Sequence, residues 1–572
     1  MNFLFFFTVF LLAFFSFSVS FNINRRTSIY IDCGGEESFQ DSNSPSKEWV
    51  SDRFFSGGVP GFLSPSNLLP KQLTTIRHFP LSDGKKNCYM LLIPAGRFRI
   101  GLSFVYSNYD LLEHPPAFEV SLGGTVVLKP PFWPQINDSV AISDYIRREY
   151  IVELHSEKLY DICFFNSAGD DPVISSIDLD EIHPLAYSIT HLKRRLPMNH
   201  PWYTFERLTF GREIQELDMY GRKWFLGQGS VVISTDQFVD GADDSLNHFP
   251  MALYQSAIVG NGGVLKFSSF LTSSHGIDVD IKHVYLCLHF AEIDPRIAGS
   301  GWRVFDIYVN GDHMYEVDIS LEVGRFTAFF LPFFFSVTSP VLEVELRSQK
   351  GLPLICGMEI FLHIPGDSMV TNEEQANAMI AFRDDLILPR IMRWNGYPCA
   401  PSEWDTWEGI ACTVSNNEMV IAEISLASRM IAGQLSAKIG DLESLTVLNL
   451  SHNMLNGRIP KELGKIKSLK VLDLSFNNFS GPVPKDILNL NISVNFLGNK
   501  YLCGPPFPLC RYEDEARLSI GSKIGIIIAS ALFTGLFILA LRQAFTDGCI
   551  INRWKGRKST RAAVDMVAIR ND

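Results

Sequence analysis

Hydrophobic residues follow four patterns along this chain. Residues 1–20 form a nearly unbroken apolar run, and residues 524–541 form a second run without a charged side chain. Residues 28–362 contain short runs of Val, Ile, Phe and Tyr interrupted by Gly, Pro, Asn and Asp, whereas residues 421–490 repeat their apolar positions with a constant period of 24. The patterns predict a leader peptide, a membrane helix, a large β module and a repeat array, in a mainly β fold.

The β module is similar to itself internally. Residues 102–124, with LSFVYSNYD followed by FEVSLGG, match residues 286–311, with LCLHFAEID followed by FDIYVNG. Almost no stretch of the module has the long helical period of amphipathic helices. We therefore predict two β-sandwich domains in tandem, residues 28–185 and residues 186–365.

Three repeats with a period of 24 make up the region 421–490. Their L-x-x-L-x-L pattern predicts one short strand in each repeat with its apolar side inward, in a solenoid. Asn453 and Asn477 stand where a side chain can satisfy backbone groups inside the turn, but the first repeat has Arg429 at that position. We expect the turn of the first repeat to be imperfect.

A short solenoid needs caps, because its apolar ends are otherwise exposed. We assign an N-terminal cap to residues 371–420, which begin with a helix pattern, and a C-terminal cap to residues 491–512. Each cap contains two closely spaced cysteines. The predicted local disulfides join Cys399 to Cys412 and Cys503 to Cys510.

The two apolar runs predict the topology. Residues 1–20 are interpreted as a signal peptide, although no Lys or Arg precedes the run, which leaves an uncleaved signal anchor open. Residues 520–541 are long enough to cross a bilayer, and the segment 542–572 that follows holds seven Lys and Arg. The positive-inside rule makes this tail cytosolic, and it is too short for a kinase domain. We expect a single-pass type I membrane protein.

Cysteine usage agrees with an oxidising compartment, since nine of the ten cysteines precede the predicted span. Outside the two caps an odd number remains, and its pairing stays open: Cys33, Cys88, Cys163, Cys287 and Cys356. Cys549, just past the span, is either palmitoylated or an unmodified thiol. The N-glycosylation sequons are at Asn137, Asn449, Asn478 and Asn491.

Composition and motifs exclude several function classes. The net charge of −12 argues against a nucleic-acid-binding protein. The chain has no nucleophile elbow, HExxH motif, P-loop or zinc-spaced Cys/His cluster, so we expect no enzyme activity, cofactor or metal. Paired acids at Asp170/Asp171 and Asp243/Asp244 keep a glycan hydrolase open as a weaker alternative.

Several motifs carry a family resemblance. YIDCGG (30–35), DRFF (52–55), DMYGRKW (218–224), YQSA (254–257) and LHFAEID (288–294) resemble the malectin-like domain of plant receptor kinases. The NGRIP and SGPVP pieces of the repeats, together with the caps, resemble plant leucine-rich-repeat receptors. With a span and a short tail, the whole chain resembles the kinase-less receptor-like proteins of plants.

The resemblance implies a ligand-binding ectodomain. Malectin domains bind a glucose disaccharide through aromatic and acidic loop residues, and their plant relatives are described as sensors of wall glycans or receptors for small secreted peptides. Aromatic faces suit the apolar side of a pyranose and carboxylates suit its hydroxyls. The residues of this chain that we assign to such a site are Tyr106, Tyr109, Asp110, Tyr220 and Trp224.

The resemblance also implies a membrane partner. Gly521, Gly525 and Ala529 form a small-residue stripe that permits close helix packing, as expected if the span pairs with an adaptor or receptor-like kinase. We expect the plasma membrane, with secretory or endosomal membranes also open. The alternatives to a signalling receptor are a carbohydrate-binding lectin and a tether that links wall to membrane without signalling.

Overall fold

The computed structural model describes residues 27–510, except for short gaps. The gaps are residues 43, 45–46, 64–68, 134, 137–138, 141–144, 167–168, 188–200, 215–216, 230, 243–246, 272–282, 338, 366–370, 390–391, 393, 400–405 and 417. The expected mainly β fold is confirmed, with few and mostly short helices.

Strands dominate the first half of the β module, because β-branched and aromatic residues alternate between two packed faces. They are β1 (Ser28–Asp32), β2 (Phe39–Gln40), β3 (Glu48–Trp49), β4 (Val59–Phe62), β5 (Thr75–His78), β6 (Lys86–Ile93), β7 (Gly96–Val105), β8 (Glu119–Leu122), β9 (Thr125–Leu128), β10 (Gln135–Ile136), β11 (Ser139–Val140), β12 (Tyr145–Leu154), β13 (Lys158–Phe165), β14 (Val173–Ile174) and β15 (Ser176–Ile182). Two 3₁₀ turns, Lys71–Leu73 and Leu81–Asp83, interrupt them.

The second half continues in the same way. Its strands are β16 (Trp202–Phe210), β17 (Phe225–Gly227), β18 (Val232–Ser234), β19 (Ser256–Val259), β20 (Val264–Phe270), β21 (His283–Phe290), β22 (Val304–Val309), β23 (Asp312–Val317), β24 (Phe329–Ser336), β25 (Val341–Lys350), β26 (Leu354–Ile355) and β27 (Gly357–His363). Two one-turn helices, Met251–Tyr254 and Ile319–Glu322, lie among them.

The strand order of the first half recurs in the second. Four-stranded sheets β6-β13-β8-β9 and β20-β25-β22-β23 correspond to each other, as do β14-β5-β4 and β26-β19-β18. The remaining long strands form one sheet in the order β1-β15-β7-β12-β16-β27-β21-β24 within the described ranges, with β17 beside β16. Antiparallel pairing of β12 with β16, at Ile151 and Trp202, joins the halves. They therefore share one continuous sheet, which the internal sequence similarity does not predict.

The repeat module begins with the helix Glu373–Asp384, which Asn372 caps by accepting a hydrogen bond from the Gln375 amide at 3.2 Å. Its strands are β28 (Leu386–Ile387), β29 (Ile410–Ser415), β30 (Glu418–Ser425), β31 (Ala432–Gln434), β32 (Val447–Asn449), β33 (Met454–Gly457), β34 (Val471–Asp473), β35 (Asn478–Pro482), β36 (Ser493–Asn495) and β37 (Tyr501–Cys503). The short helical turns are Ala437–Asp441, Lys461–Lys465 and Lys485–Leu488.

Parallel pairing relates successive repeats. Leu448 of β32 lies beside Ile424 of β30 and Leu472 of β34, and all three are fully buried. The residue number rises by 24 at each step up to β34 but by 22 from β34 to β36, where Val471 lies beside Ser493. The last step is therefore shorter than the period of the sequence pattern.

The end of the described chain is a separate compact unit. It contains residues 481–483 and 501–510, and the Cys503–Cys510 disulfide lies within it.

The predicted membrane span, residues 520–541, and its stripe of Gly521, Gly525 and Ala529 lie outside the described residues, as do the predicted signal peptide and tail. Among the helices that the structure does describe, none has the length and apolar character needed to cross a bilayer.

Candidate functional site

The loop after β7 contains three of the predicted site residues. Tyr106 ends inside the core at 1% exposure, and its hydroxyl donates to the Asp110 carboxylate at 2.8 Å. Asp110 also accepts from the Leu112 amide at 3.1 Å, which folds the chain back on itself. Ser107, Asn108, Leu111 and Glu113 adopt positive φ angles between 45° and 62°. The loop is therefore held in one shape, with Leu111 and Leu112 at 80% and 56% exposure.

Tyr109 lies beside acids from a second loop. Its ring contacts those of Tyr106 and His78, with centroids 5.9 Å and 5.4 Å away. Its hydroxyl is enclosed and has no hydrogen-bond partner among the described residues. Burial, together with the charges of Asp110 and Asp171, raises the pKa of Tyr109, so the hydroxyl is a neutral donor.

The nearby acids have structural partners. Asp170 accepts a hydrogen bond from the Ala117 amide at 3.0 Å, and Asp171 lies 3.4 Å from Nδ1 of His78. The other pair of acids that the hydrolase alternative needs, Asp243 and Asp244, lies outside the described residues. The loop thus offers carboxylates, one enclosed hydroxyl and two exposed leucines, which suits ligand binding.

Tyr220 and Trp224 are buried in the joint between the two halves, at 1% exposure each. The Tyr220 carbonyl accepts from Arg99 Nε at 2.7 Å, and the indole of Trp224 donates to Asp218 at 3.2 Å. A ring at this exposure presents no face to a sugar. The rings of Tyr220 and Trp224, and of the equally buried Tyr106, pack inside the module in this structure, so the prediction that they bind a ligand finds no support in their placement.

A buried ionic network crosses the joint. Glu149 of β12 accepts from Arg207 of β16 at 2.8 Å and lies 3.5 Å from Arg99 of β7. Arg207 also donates to Glu359 of β27 at 2.7 Å, and Glu359 lies 3.3 Å from His289. This network was not predicted from the sequence, although charged residues inside otherwise apolar strands are its signal.

Further carboxylates extend the network into each half. In the first half, Arg99 contacts Asp178 at 2.6 Å and also Asp180. In the second, Arg222 is bound to Asp218 at 2.6 Å and donates to the Tyr187 hydroxyl at 2.6 Å. Buried charges that are paired in this way are strongly interdependent.

We expect this network to make the β module sensitive to acid. Burial alone raises the pKa of Glu359, but Arg207 and His289 outweigh it and lower that pKa from 4.5 to about 2. A carboxylate with a depressed folded pKa stabilises the fold above its unfolded pKa and loses that contribution as pH falls. Glu359 therefore contributes about 3 kcal/mol that disappears between pH 4.5 and pH 2.

Urea unfolding between pH 6 and pH 2 measures this contribution. The Glu359→Gln variant should show a flatter dependence of unfolding free energy on pH than the unmodified protein. Burial lowers the pKa of His289, which makes acid destabilising in the same direction. Equal slopes for the variant and the unmodified protein would contradict the assignment.

The structure answers part of the open cysteine question. Cys88 and Cys163 lie opposite each other on β6 and β13 and form a disulfide, and the cap pairs Cys399–Cys412 and Cys503–Cys510 are also bonded. Among the described cysteines, the free thiols are Cys33, Cys287 and Cys356, all fully buried. Burial raises the pKa of each thiol, which keeps it protonated and unreactive.

The sequons differ in their surroundings. Asn478 and Asn491 are exposed, and Asn449 is half-buried on β32, where it accepts a hydrogen bond from the Ser451 hydroxyl at 2.8 Å. Asn137 lies outside the described residues.

Comparison with solved structures finds the extracellular domain of ANXUR2 from Arabidopsis thaliana. That chain is 17% identical, the match covers 59% of this chain and 96% of that one, and the TM-score is 0.48.

Sequence comparison finds two family models and relatives from a plant. A family model for the malectin-like domain matches residues 31–363, and a leucine-rich-repeat model matches residues 444–466 and 468–490. Receptor-like protein 4 of Arabidopsis thaliana is 29% identical over 76% of this chain and 70% of its own length. A leucine-rich-repeat receptor-like serine/threonine kinase of the same plant, At2g14510, is 30% identical over 72% of this chain, which spans 46% of that kinase. The chain therefore belongs to the malectin-like domain family, and leucine-rich repeats follow that domain.

Proposed function

We propose that the protein is a cell-surface receptor-like protein whose β module binds a wall carbohydrate or a small secreted peptide. The observation that supports the ligand site is the loop after β7, where the enclosed Tyr109 hydroxyl stands beside the Asp110 and Asp171 carboxylates. A ligand hydroxyl or amide can bind the carboxylates, and a movement of Tyr109 that opens its hydroxyl would let that group find the partner it lacks among the described residues. Leaving such a group unpaired costs about 1–3 kcal/mol, which binding would recover.

We further propose the division of labour along the chain. The two malectin-like halves, residues 28–185 and 186–365, receive the ligand, and the capped repeats from 371 to 512 form a docking or spacer module. The span at 520–541 pairs through its small-residue stripe with a receptor or adaptor kinase. Similarity to Receptor-like protein 4 supports this arrangement, with the protein in the plasma membrane and its sequons glycosylated.

Ligand binding tests the site. The purified protein would be applied to an array of wall oligosaccharides and small secreted peptides, and the best ligand titrated against Tyr109→Phe and Asp110→Asn. Tyr109→Phe removes the hydroxyl and Asp110→Asn removes the negative charge, and both keep the size of the side chain, so we expect affinity to fall about tenfold or more. Phe270→Ala, at a 64% exposed aromatic residue on β20, is the control that should bind normally. Normal binding by both loop variants would place the ligand elsewhere.

A further inference from the structure

The strand pair β6–β13 is apolar on both of its faces. Tyr89 and Ile162 point into the main core, while Cys88, Met90 and Cys163 form a separate cluster with Phe165 on the opposite face. A sheet face of this kind must be covered by another element. The disulfide end of that face is fully buried, whereas Leu159 and Leu92 are 37% and 62% exposed. Another segment of the chain therefore covers the disulfide end of this sheet face.

The cover is a loop of the N-terminal cap, residues 394–397. Gly396 lies against the strand pair with φ at 59°, a left-handed conformation that glycine adopts without strain. A Cβ at Gly396 would lie 2.7 Å from the Asp161 carboxylate, 2.8 Å from Cys163 Sγ and 2.8 Å from Lys86 Cε. Only glycine fits between the cap and the disulfide.

Three hydrogen bonds hold the cap loop to the strand pair. The Tyr397 amide donates to the Asp161 carboxylate at 3.2 Å, and Lys86 Nζ donates to the Tyr397 carbonyl at 3.0 Å. Asn395 Nδ2 donates to the Lys86 carbonyl at 3.2 Å. Asp161 is 1% exposed, so its contact with the loop is shielded from water and counts for more than a surface hydrogen bond.

The loop is fixed within its own cap. The rings of Trp394 and Trp407 stack with centroids 4.8 Å apart, and the Trp407 indole donates to the Asn395 carbonyl at 2.9 Å. Trp394 also packs near Phe382 of the cap helix, at 6.0 Å. Movement of the loop therefore carries the cap helix with it.

The cap helix adds a second contact beside the loop. Ala376 and Ile380 of the helix line a narrow groove with Met90 and Leu159 of the strand pair. At its edge, the Ser156 hydroxyl donates to Glu373 at 3.1 Å. Both modules, up to residue 480, fall in one compact unit.

We propose that this contact locks the β module and the repeat module into one rigid body, so that a ligand on the first and a partner on the second are held at a fixed distance. The lock consists of the Cys88–Cys163 face of β6–β13 and the cap loop 394–397. It acts whatever the ligand is, and therefore does not depend on the proposed ligand site.

Spin-label distance measurements on the full-length protein in detergent test this proposal. One label is attached at Asp312→Cys in the β module and one at Lys485→Cys in the repeat module, both exposed positions. Cys549→Ser removes a thiol that the label could otherwise modify. We expect one narrow distance distribution. Gly396→Ala should broaden it, and hydrogen exchange of the peptides covering 86–90 and 394–399 should become about tenfold faster.

Gly324→Ala is the matched control, because Gly324 is also left-handed, at φ 86°, but a Cβ there meets nothing within 4 Å. It should leave the distance distribution narrow. Lys86→Met removes one hydrogen bond without a steric clash and should broaden the distribution to a smaller extent. Unchanged exchange in β7 and β32 verifies that both modules of each variant remain folded. A broad distribution in the unmodified protein, or a narrow one in Gly396→Ala, would overturn the proposal.

Discussion

Replacing Arg207 with Met is expected to lower the free energy of unfolding by about 4 kcal/mol. Arg207 is 4% exposed and donates to Glu149 at 2.8 Å and to Glu359 at 2.7 Å. Met fills a similar volume but leaves both carboxylates buried beside one fewer cation. These ion pairs lie where β12 pairs with β16, so their loss weakens the contact between the two halves of the β module.

Urea unfolding at pH 7 measures this loss of stability. Two further variants test whether it comes from the buried network. Arg347→Met removes an arginine from a half-exposed pair with Glu345 on β25, at 2.9 Å, and should leave stability unchanged. The double variant Arg207→Met/Glu149→Leu should be more stable than Arg207→Met, because it also removes one of the stranded carboxylates. If Arg207→Met and Arg347→Met unfold at the same urea concentration, the network has no role in stability.

This network also explains why the burial of Tyr220 and Trp224 could not be predicted from the sequence. The sequence shows that Tyr220 and Trp224 stand in a motif rich in aromatic and charged residues, which is typical of both ligand loops and buried joints. Whether the motif forms a ligand loop or a buried joint depends on Arg99. This residue lies far earlier in the chain, and its Nε donates to the Tyr220 carbonyl. Pairing over such a distance leaves no local periodicity that a sequence analysis can detect. Tyr109 and Asp110 remain candidates because they lie on a loop that is partly exposed.

Patterns among neighbouring residues predicted much of the fold, whereas contacts between residues far apart in the chain could not be predicted. Strand alternation and the internal similarity anticipated a mainly β module whose strand order recurs. The similarity did not predict the continuous sheet, because among the described residues it is created by the short pairing of Tyr150 and Ile151 with Tyr203 and Trp202. The cap contact was missed for the same reason, since Gly396 and Asp161 look ordinary until the chain brings them together.

The repeats show how local geometry corrects a pattern. Asn453 Oδ1 accepts from the amides of Arg429 and Ile431, at 3.1 Å and 3.0 Å, so each asparagine serves the repeat before it. The amides of the first turn are therefore satisfied by the second repeat, while Met430 next to Arg429 adopts a positive φ of 57° that the equivalent residues of the later turns do not share. Asn499 accepts from the Phe479 amide at 3.1 Å in the same way, but the shorter last step of the array hid it from a search at the regular period.

Replacing Asn453 with Leu is expected to cost about 4 kcal/mol of unfolding free energy in the repeat module. Besides accepting from two amides, its Nδ2 donates to the carbonyls of Leu426, Leu450 and Ser451 at 2.7–3.1 Å. Leu has a similar volume but leaves these buried backbone groups without hydrogen-bond partners. Each unpaired group costs about 1–3 kcal/mol, and partial relaxation of the backbone makes the total smaller than the sum of these costs.

Hydrogen exchange of the peptides covering β31 and β33 measures the loss directly, since the Ile431 amide is one of the groups released. Asn489→Leu, at an exposed asparagine, is the control for adding an apolar side chain and should leave exchange unchanged. Asn477 donates to Leu450, Leu474 and Ser475 and accepts from Leu455, so Asn477→Leu should act in the same way one repeat later. Because each asparagine accepts from amides of the preceding repeat, the exposed amides should appear on the N-terminal side of the substitution. Protection equal to that of the Asn489→Leu variant would mean that water replaces the side chain, and the asparagine row would then have no stabilising role.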